Sequence, residues 1–129
     1  MNQLLTQTRR MLENLTGASM DETRDWAAVL SVLEAGKGDV ILELPWQHPD
    51  SPPERHEVVL KHLSQDRVVY YNSRSPRSLV VGTLLPSNAT LPERRVEGTG
   101  LESMPLADLQ RLFQIGVGAA LLPTERRSR

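Results

Sequence analysis

The segment Pro45–Arg55, PWQHPDSPPER, most constrains the fold, because it contains four prolines. Proline lacks the N–H group that helices and sheets use, so this segment predicts a surface loop. The apolar run before it, VILEL at Val40–Leu44, suits a central strand that is buried on both faces. After the loop, His56–Leu63 and Arg67–Tyr71 flank a short polar turn and predict a β-hairpin. We therefore expect a core that is built partly from strands.

Three segments have the apolar spacing of amphipathic helices. The first, Asn2–Leu15, predicts a helix with one buried stripe. That stripe comprises Leu4, Leu5, Met11, Leu12 and Leu15. A capping-box pattern that begins at Ser19 predicts a second helix over Met20–Ala35. A third pattern predicts a closing helix over Leu106–Leu121, which Pro123 ends.

Two further strands are expected after the hairpin, at Leu79–Leu85 and Arg94–Glu97, with a turn-rich loop at Pro86–Pro92 between them. The pattern gives an α+β domain with two N-terminal helices, a mainly antiparallel sheet of about four or five strands and one C-terminal helix. The chain of 129 residues has the size of one domain. We place this domain at residues 1–123 and interpret residues 124–129 as a basic C-terminal tail.

The charge of the chain argues against two classes of partner. Fifteen basic and sixteen acidic residues give a formal net charge of −1, and the two signs are interspersed. We therefore expect neither nucleic-acid binding nor membrane insertion. No apolar run approaches the roughly 20 residues of a membrane span, and the N-terminus has no signal-peptide pattern, so we expect a cytoplasmic protein.

The chain has no cysteine, which excludes a disulfide, a thiolate zinc site and a thiol nucleophile within it. Strand alternation predicts that His56 and His62 share a face about 20 Å apart, too far for one ion to bridge. His48, Asp50 and Glu54 lie in the proline-rich loop without a fixed ligand spacing. We expect no metal site and no cofactor.

Two polar residues bracket the predicted hairpin. His56 begins its first strand and Asn72 follows its second strand. A histidine at the rim of a sheet can be held rigidly and still be reached by a ligand. The plainer alternative is a structural histidine whose hydrogen bonds are satisfied. An asparagine can accept a hydrogen bond from an imidazole and so fix its tautomer.

The stretch HEVVLKHLSQDRVVYYNSRSP, His56–Pro76, resembles the second half of a C39-type peptidase, in the bacteriocin-processing branch of the papain-like cysteine peptidases. Members of that family show a histidine, a run of valines, a turn that often contains Asp, a second strand and then Asp-Pro. Here His56 takes the place of the histidine, Asp66 falls in the turn, and Asn72 takes the place of the orienting acid. This chain has Asn-Ser instead of Asp-Pro. The resemblance spans Val29–Phe113 and implies a papain-like fold.

The family's nucleophile is a cysteine at the start of an N-terminal helix, and this chain lacks it. The resemblance therefore implies a catalytically inactive, bacterial pseudo-peptidase that acts as a peptide- or protein-binding adaptor. His56 and Asn72 are then a vestigial catalytic pair. The predicted binding residues are Trp46, His48, His56, Tyr70 and Asn72.

Two alternatives remain open. In the first, the chain is one subunit of a split cysteine peptidase and supplies His56 and Asn72 to a cysteine on another chain. In the second, it is a self-associating structural or assembly protein, which forms a homo-oligomer and has no ligand groove.

Overall fold

One antiparallel sheet dominates the structure. The computed structural model describes residues 3–36, 38–46, 54–72 and 94–124. Within these ranges the helices are α1 (Gln3–Thr16), α2 (Trp26–Ala35) and α3 (Leu106–Ile115). The strands are β1 (Met20–Thr23), β2 (Val40–Trp46), β3 (Glu54–Ser64), β4 (Arg67–Tyr71), β5 (Arg95–Gly98), β6 (Leu101–Pro105) and β7 (Ala119–Pro123). They pair in the order β1-β7-β2-β3-β4-β6-β5. None of the three described helices is long and apolar enough to cross a membrane.

The predicted α+β class fits, but the predicted sheet of about four or five strands and the predicted helix layout are wrong. The described residues form a sheet of seven strands. Of the strands that the sequence patterns missed, β1 and β7 lie in segments predicted to be helical. The third, β6, lies where no element was predicted.

The second helix begins at Trp26 instead of Met20, because Asp25 and not Ser19 caps it. The Asp25 side chain accepts a hydrogen bond from the N–H of Ala27 at 3.1 Å. The residues before this cap pair with β7 as a strand. Pairing with a strand that lies far along the chain therefore outweighs the local capping-box pattern.

The closing helix is shorter than predicted, because it ends at Ile115. The chain then turns through Gly116, Val117 and Gly118, and Val117 adopts a φ of 51°, which is rare for a β-branched residue. The apolar run Ala119–Leu122 is buried and forms a strand between β1 and β2. A short apolar run suits a buried strand as well as the end of a helix, so its periodicity alone did not distinguish the two.

Several predicted strands are confirmed. The side chains of Val40–Leu44 in β2 are all buried, as expected for a central strand. The hairpin forms from β3 and β4, and β5 lies at the edge of the sheet near the predicted Arg94–Glu97. The predicted strand Leu79–Leu85, the loop Pro86–Pro92 and residues 47–53 of the proline-rich loop lie outside the described residues. Residues 125–129 of the predicted tail do so too.

Each face of the sheet has its own apolar cluster. Helices α2 and α3 cover one side, the α2/α3 face. Its cluster includes Val40, Leu42, Leu44, Val58, Leu60, Tyr70 and Met104 of the sheet with Trp26, Val29, Leu33, Leu109, Leu112 and Phe113 of the helices. Helix α1 covers the other side, the α1 face, where the cluster is Leu5, Ile41, Ala119 and Leu121. The predicted stripe of α1 is only partly buried, since Met11 is 54% and Leu15 is 75% exposed.

Two strand carboxylates hold α1 against its face. Glu43 of β2 and Glu57 of β3 are register partners. The N–H of Leu5, in the first turn of α1, donates to Glu43 Oε2 at 3.1 Å. The Thr8 hydroxyl donates to Glu57 Oε1 at 2.8 Å. Burial raises the pKa of Glu57, the hydrogen bond from Thr8 lowers it, and the neighbouring charge of Glu43 raises it further.

Candidate functional site

His56 and Asn72 meet on the α2/α3 face. His56 lies near the start of β3 opposite Leu44, and it shares a face with Val58 because side chains alternate along a strand. Asn72 directly follows β4, and its main-chain N–H donates to the carbonyl of Gly100 at 2.7 Å. His56 Nε2 lies 2.9 Å from Asn72 Oδ1. Their exposed fractions are 7% and 0%, so this hydrogen bond is buried.

A buried glutamate, Glu102 of β6, extends this pair into a larger cluster. Its Oε1 accepts hydrogen bonds from the Tyr70 hydroxyl at 2.8 Å, from Arg94 Nη1 at 3.2 Å and from Asn72 Nδ2 at 3.4 Å. Tyr70 and Glu102 are register partners on neighbouring strands, which explains why they meet. We call His56, Asn72, Glu102, Tyr70 and Arg94 the His56 cluster.

The electrostatics of the His56 cluster are balanced within it. A buried carboxylate needs an opposite charge and hydrogen-bond donors, and Glu102 has Arg94 and the Tyr70 hydroxyl. Burial and the nearby charge of Glu102 raise the pKa of Tyr70, while Arg94 and Arg67 lower it less. The phenol therefore stays protonated and acts as the donor in its hydrogen bond to Glu102.

The structure separates the two histidines of β3. A β-bulge between Leu60 and His62 shifts the register, so the predicted common face of His56 and His62 is wrong. The side chain of His62 is exposed, and Leu63 packs against the α2/α3 cluster instead.

The predicted binding residues differ in where they lie. His56, Tyr70 and Asn72 come together in the His56 cluster. Tyr70 is completely buried, whereas Tyr71, on the opposite face, is 44% exposed. The side chain of Trp46, the last residue of β2, and all of His48 lie outside the described residues. Within the described ranges, no group of three or more His, Asp or Glu side chains could hold a metal ion.

Sequence reasoning missed Glu102 and Arg94. A signal for Glu102 exists, because strand alternation over Leu101–Pro105 would place it on the same face as the apolar Met104. An acidic residue on an apolar strand face predicts a buried partner. That signal was lost because no strand was predicted there. Nothing local marks Arg94 as its partner.

The cluster lies at the end of the sheet where β2 and β4 finish and β3 begins. The start of α2 lies at the same end of the sheet, because Trp26 packs against Phe113 with ring centroids 5.4 Å apart. Phe113 in turn lies near Leu44, the register partner of His56, since a Cβ on Gly118 would approach both side chains. Trp26 occupies the first position of this helix.

Chemically, the cluster can hold an imidazole in one orientation and keep a proton at a defined ring nitrogen. Without cysteine in the chain, it has no thiol to activate. Comparisons with protein-family models, with curated proteins and with solved structures find no match to this chain.

Proposed function

We propose that this chain is a non-cleaving relative of the C39-type peptidases that binds an extended peptide or protein segment. The observation that carries the proposal is the buried contact of 2.9 Å between His56 Nε2 and Asn72 Oδ1. An imidazole held by an amide is the pair that the resemblance implies. Because the chain has no cysteine, we assign binding and not peptide cleavage to this pair.

The composition of the cluster supports a function beyond folding. Its side chains lie on the face of the sheet that carries the larger apolar cluster. Well-packed apolar residues of similar volume often stabilise a core as well as buried charged groups do, or better. A glutamate, an arginine, an amide and an imidazole at this place are therefore better explained by binding than by stability.

The position of the cluster favours a ligand that crosses one end of the sheet. Strand ends and the connections between them commonly carry binding residues on a rigid scaffold. Trp46 is the last residue of β2, at the same end as His56, and it stays our predicted anchor residue. An extended peptide here would meet the strand ends and their main-chain groups.

The test selects ligands from a displayed library of random peptides on the immobilised protein. Affinities of the enriched peptides are then measured by fluorescence anisotropy for the wild type and for the variants His56→Gln and Trp46→Ala. Glutamine at position 56 can still donate to Asn72 Oδ1, which limits damage to the fold. We expect each variant to weaken binding by about tenfold or more, the loss of roughly one good contact.

The matched control is His62→Ala, which removes an exposed histidine from the same strand and should bind as the wild type does. Circular dichroism and thermal melting verify the fold of each variant. Two outcomes would contradict peptide binding at this end of the sheet: a library that yields no binder, and selected peptides that bind both test variants as tightly as they bind the wild type. Hydrolysis of the enriched peptides by the purified chain would overturn the non-cleaving part of the proposal.

A further inference from the structure

The two edge strands of the sheet differ in the charges that they carry. Within the described residues, β1 and β5 lie at the two ends of the strand order. Every residue of β5, Arg95–Gly98, is exposed. An exposed strand edge presents main-chain N–H and C=O groups that can pair with another chain. The side chains of the edge then determine which strand it accepts.

The two charged residues of β5 have opposite signs and lie on one face. Ser103 of β6 lies on the α1 face, because strand alternation places it opposite to its neighbour Met104. Arg95 is the register partner of Ser103, and Glu97 accepts a hydrogen bond from the Ser103 hydroxyl at 2.6 Å. Both charges therefore lie on the α1 face. Val96 lies between them on the other face, with its side chain 65% exposed.

We propose that β5 pairs with β5 of a second copy of this chain, antiparallel and around a two-fold axis between the two Val96 residues. In this register Arg95 of each copy lies opposite Glu97 of the other, and the two Val96 side chains face each other. Directly opposite residues of an antiparallel pair have Cβ atoms about 4.5–5.5 Å apart, close enough for an ion pair and for an apolar contact. The sheet then continues from one copy into the other.

The other edge strand, β1, would repel a copy of itself. Its sequence is Met20-Asp21-Glu22-Thr23, and its two carboxylates are exposed. A two-fold antiparallel pair of β1 strands brings Asp21 of one copy opposite Glu22 of the other, which is destabilising. Charges of a single sign protect an edge strand in this way. With one charge of each sign, β5 lacks this protection against its own copy.

The size of the edge determines the expected strength of the pairing. β5 has four residues, and a register shift between Val96 and Gly98 interrupts its pairing with β6. The regular part of the edge is therefore short, and two such edges form a small, transient interface. A two-fold contact is closed, so the assembly stops at a dimer. This inference goes beyond the proposed function and does not rest on it.

The first test is sedimentation equilibrium of the wild type at concentrations up to about 1 mM, a range that detects weak interfaces. We expect a monomer–dimer equilibrium that salt weakens, because the ion pairs are exposed. Arg95→Glu turns both ion pairs into pairs of carboxylates and should raise the Kd of the dimer by about tenfold or more. Arg10→Glu makes the same change of net charge at an exposed residue of α1 and should leave the Kd unchanged.

A charge exchange tests the register itself. Arg95→Glu and Glu97→Arg should each fail to pair with themselves, but an equimolar mixture should form a heterodimer, because each carboxylate then faces a guanidinium group. The double variant should recover the homodimer. Circular dichroism and thermal melting verify the fold of each variant, since Glu97→Arg also removes the acceptor of the Ser103 hydroxyl. A mixture of folded variants without a heterodimer would refute this register.

The remaining outcomes contradict the inference in different ways. A wild type that is monomeric at every concentration would overturn the pairing. Association that continues beyond a dimer would indicate contact of β5 with β1 of the next copy. A dimer that Arg95→Glu does not weaken would place the interface elsewhere. If the wild type stays monomeric and Arg95→Glu weakens binding of the library-selected peptides, this edge binds the peptide and not a second copy.

Discussion

Gly118 shows how a single residue determines the packing beside the His56 cluster. A Cβ at this position would lie 2.6 Å from Phe113 Cδ1, 3.0 Å from Leu44 Cδ2 and 3.1 Å from the carbonyl oxygen of Glu43. The first two atoms belong to buried side chains and the third to the backbone of β2. The turn that brings the chain back from α3 to the sheet therefore has no room for a side chain here.

Gly118→Ala should lower the free energy of unfolding by about 1–3 kcal/mol, the usual cost of overpacking a close-packed core. Urea unfolding followed by circular dichroism measures this. Gly98→Ala is the matched control, because its Cβ would lie 3.8 Å from the nearest atom, Leu101 Cδ1, and should be well tolerated. Equal stability of the two variants would show that the core near Gly118 can rearrange.

Residue-scale reasoning predicted part of the candidate site. His56 and Asn72 lie 16 positions apart on one hairpin, so a local motif and a family resemblance were enough to pair them. Glu102 lies 30 positions beyond Asn72, and their contact depends on the pairing of β4 with β6. Long-range strand pairing leaves little local trace, which is why this member of the cluster was missed.

At the scale of elements, the helices and strands that were predicted correctly are those whose apolar pattern and whose turn residues lie close together in the sequence. The hairpin β3–β4 has alternating or apolar runs and a clear turn, and it was found. Strands β1 and β7 pair with each other, and each was predicted as helix. Each is short, and its strand conformation depends on partners that a sequence window does not contain.

Glu57, whose side chain bonds to Thr8 of α1, makes the stability of the protein depend on pH. The pKa of Glu57 is raised, chiefly by burial, so the folded protein holds this proton more tightly than the unfolded chain does. The contribution of Glu57 to stability is then full below the ordinary pKa of 4.5 and is lost as the pH rises through the raised value.

Glu57→Gln should therefore be more stable than the wild type at pH 7, and the difference should disappear below about pH 4.5. Thermal unfolding across this pH range measures it. Glu13→Gln should show the opposite sign at pH 7, because a hydrogen bond from the Met20 N–H lowers the pKa of Glu13. A Glu57→Gln protein with the same pH profile as the wild type would mean that Glu57 does not carry this dependence.

At the scale of the whole molecule, β7 joins the two parts of the sheet. It pairs with β1 on one side and with β2 on the other. Its Leu121 is completely buried in the cluster under α1. The sheet is thus continuous from edge to edge through the described residues, and we expect it to unfold in one transition.

Leu121→Ala should lower the free energy of unfolding by about 2–5 kcal/mol, the cost of a cavity in a core. Far-ultraviolet circular dichroism and tryptophan fluorescence should report the same lowered midpoint of unfolding, because the whole sheet unfolds as one cooperative unit. Val96→Ala, at a side chain that is 65% exposed on the edge strand, should change stability little. Separate transitions for the two probes would mean that the α1 side unfolds independently.

The position of β7 also has a consequence for synthesis. A ribosome makes β1 and β2 long before β7, yet β7 lies between them in the sheet. Until residues Ala119–Pro123 leave the exit tunnel, β1 cannot pair with β7, and the edge of β2 that pairs with β7 is open to other nascent chains. The hairpin β3–β4 can form during translation, but β1 and β2 can be joined in one sheet only after β7 has been made. The interval between these two events is when a chaperone would be of most use to this protein.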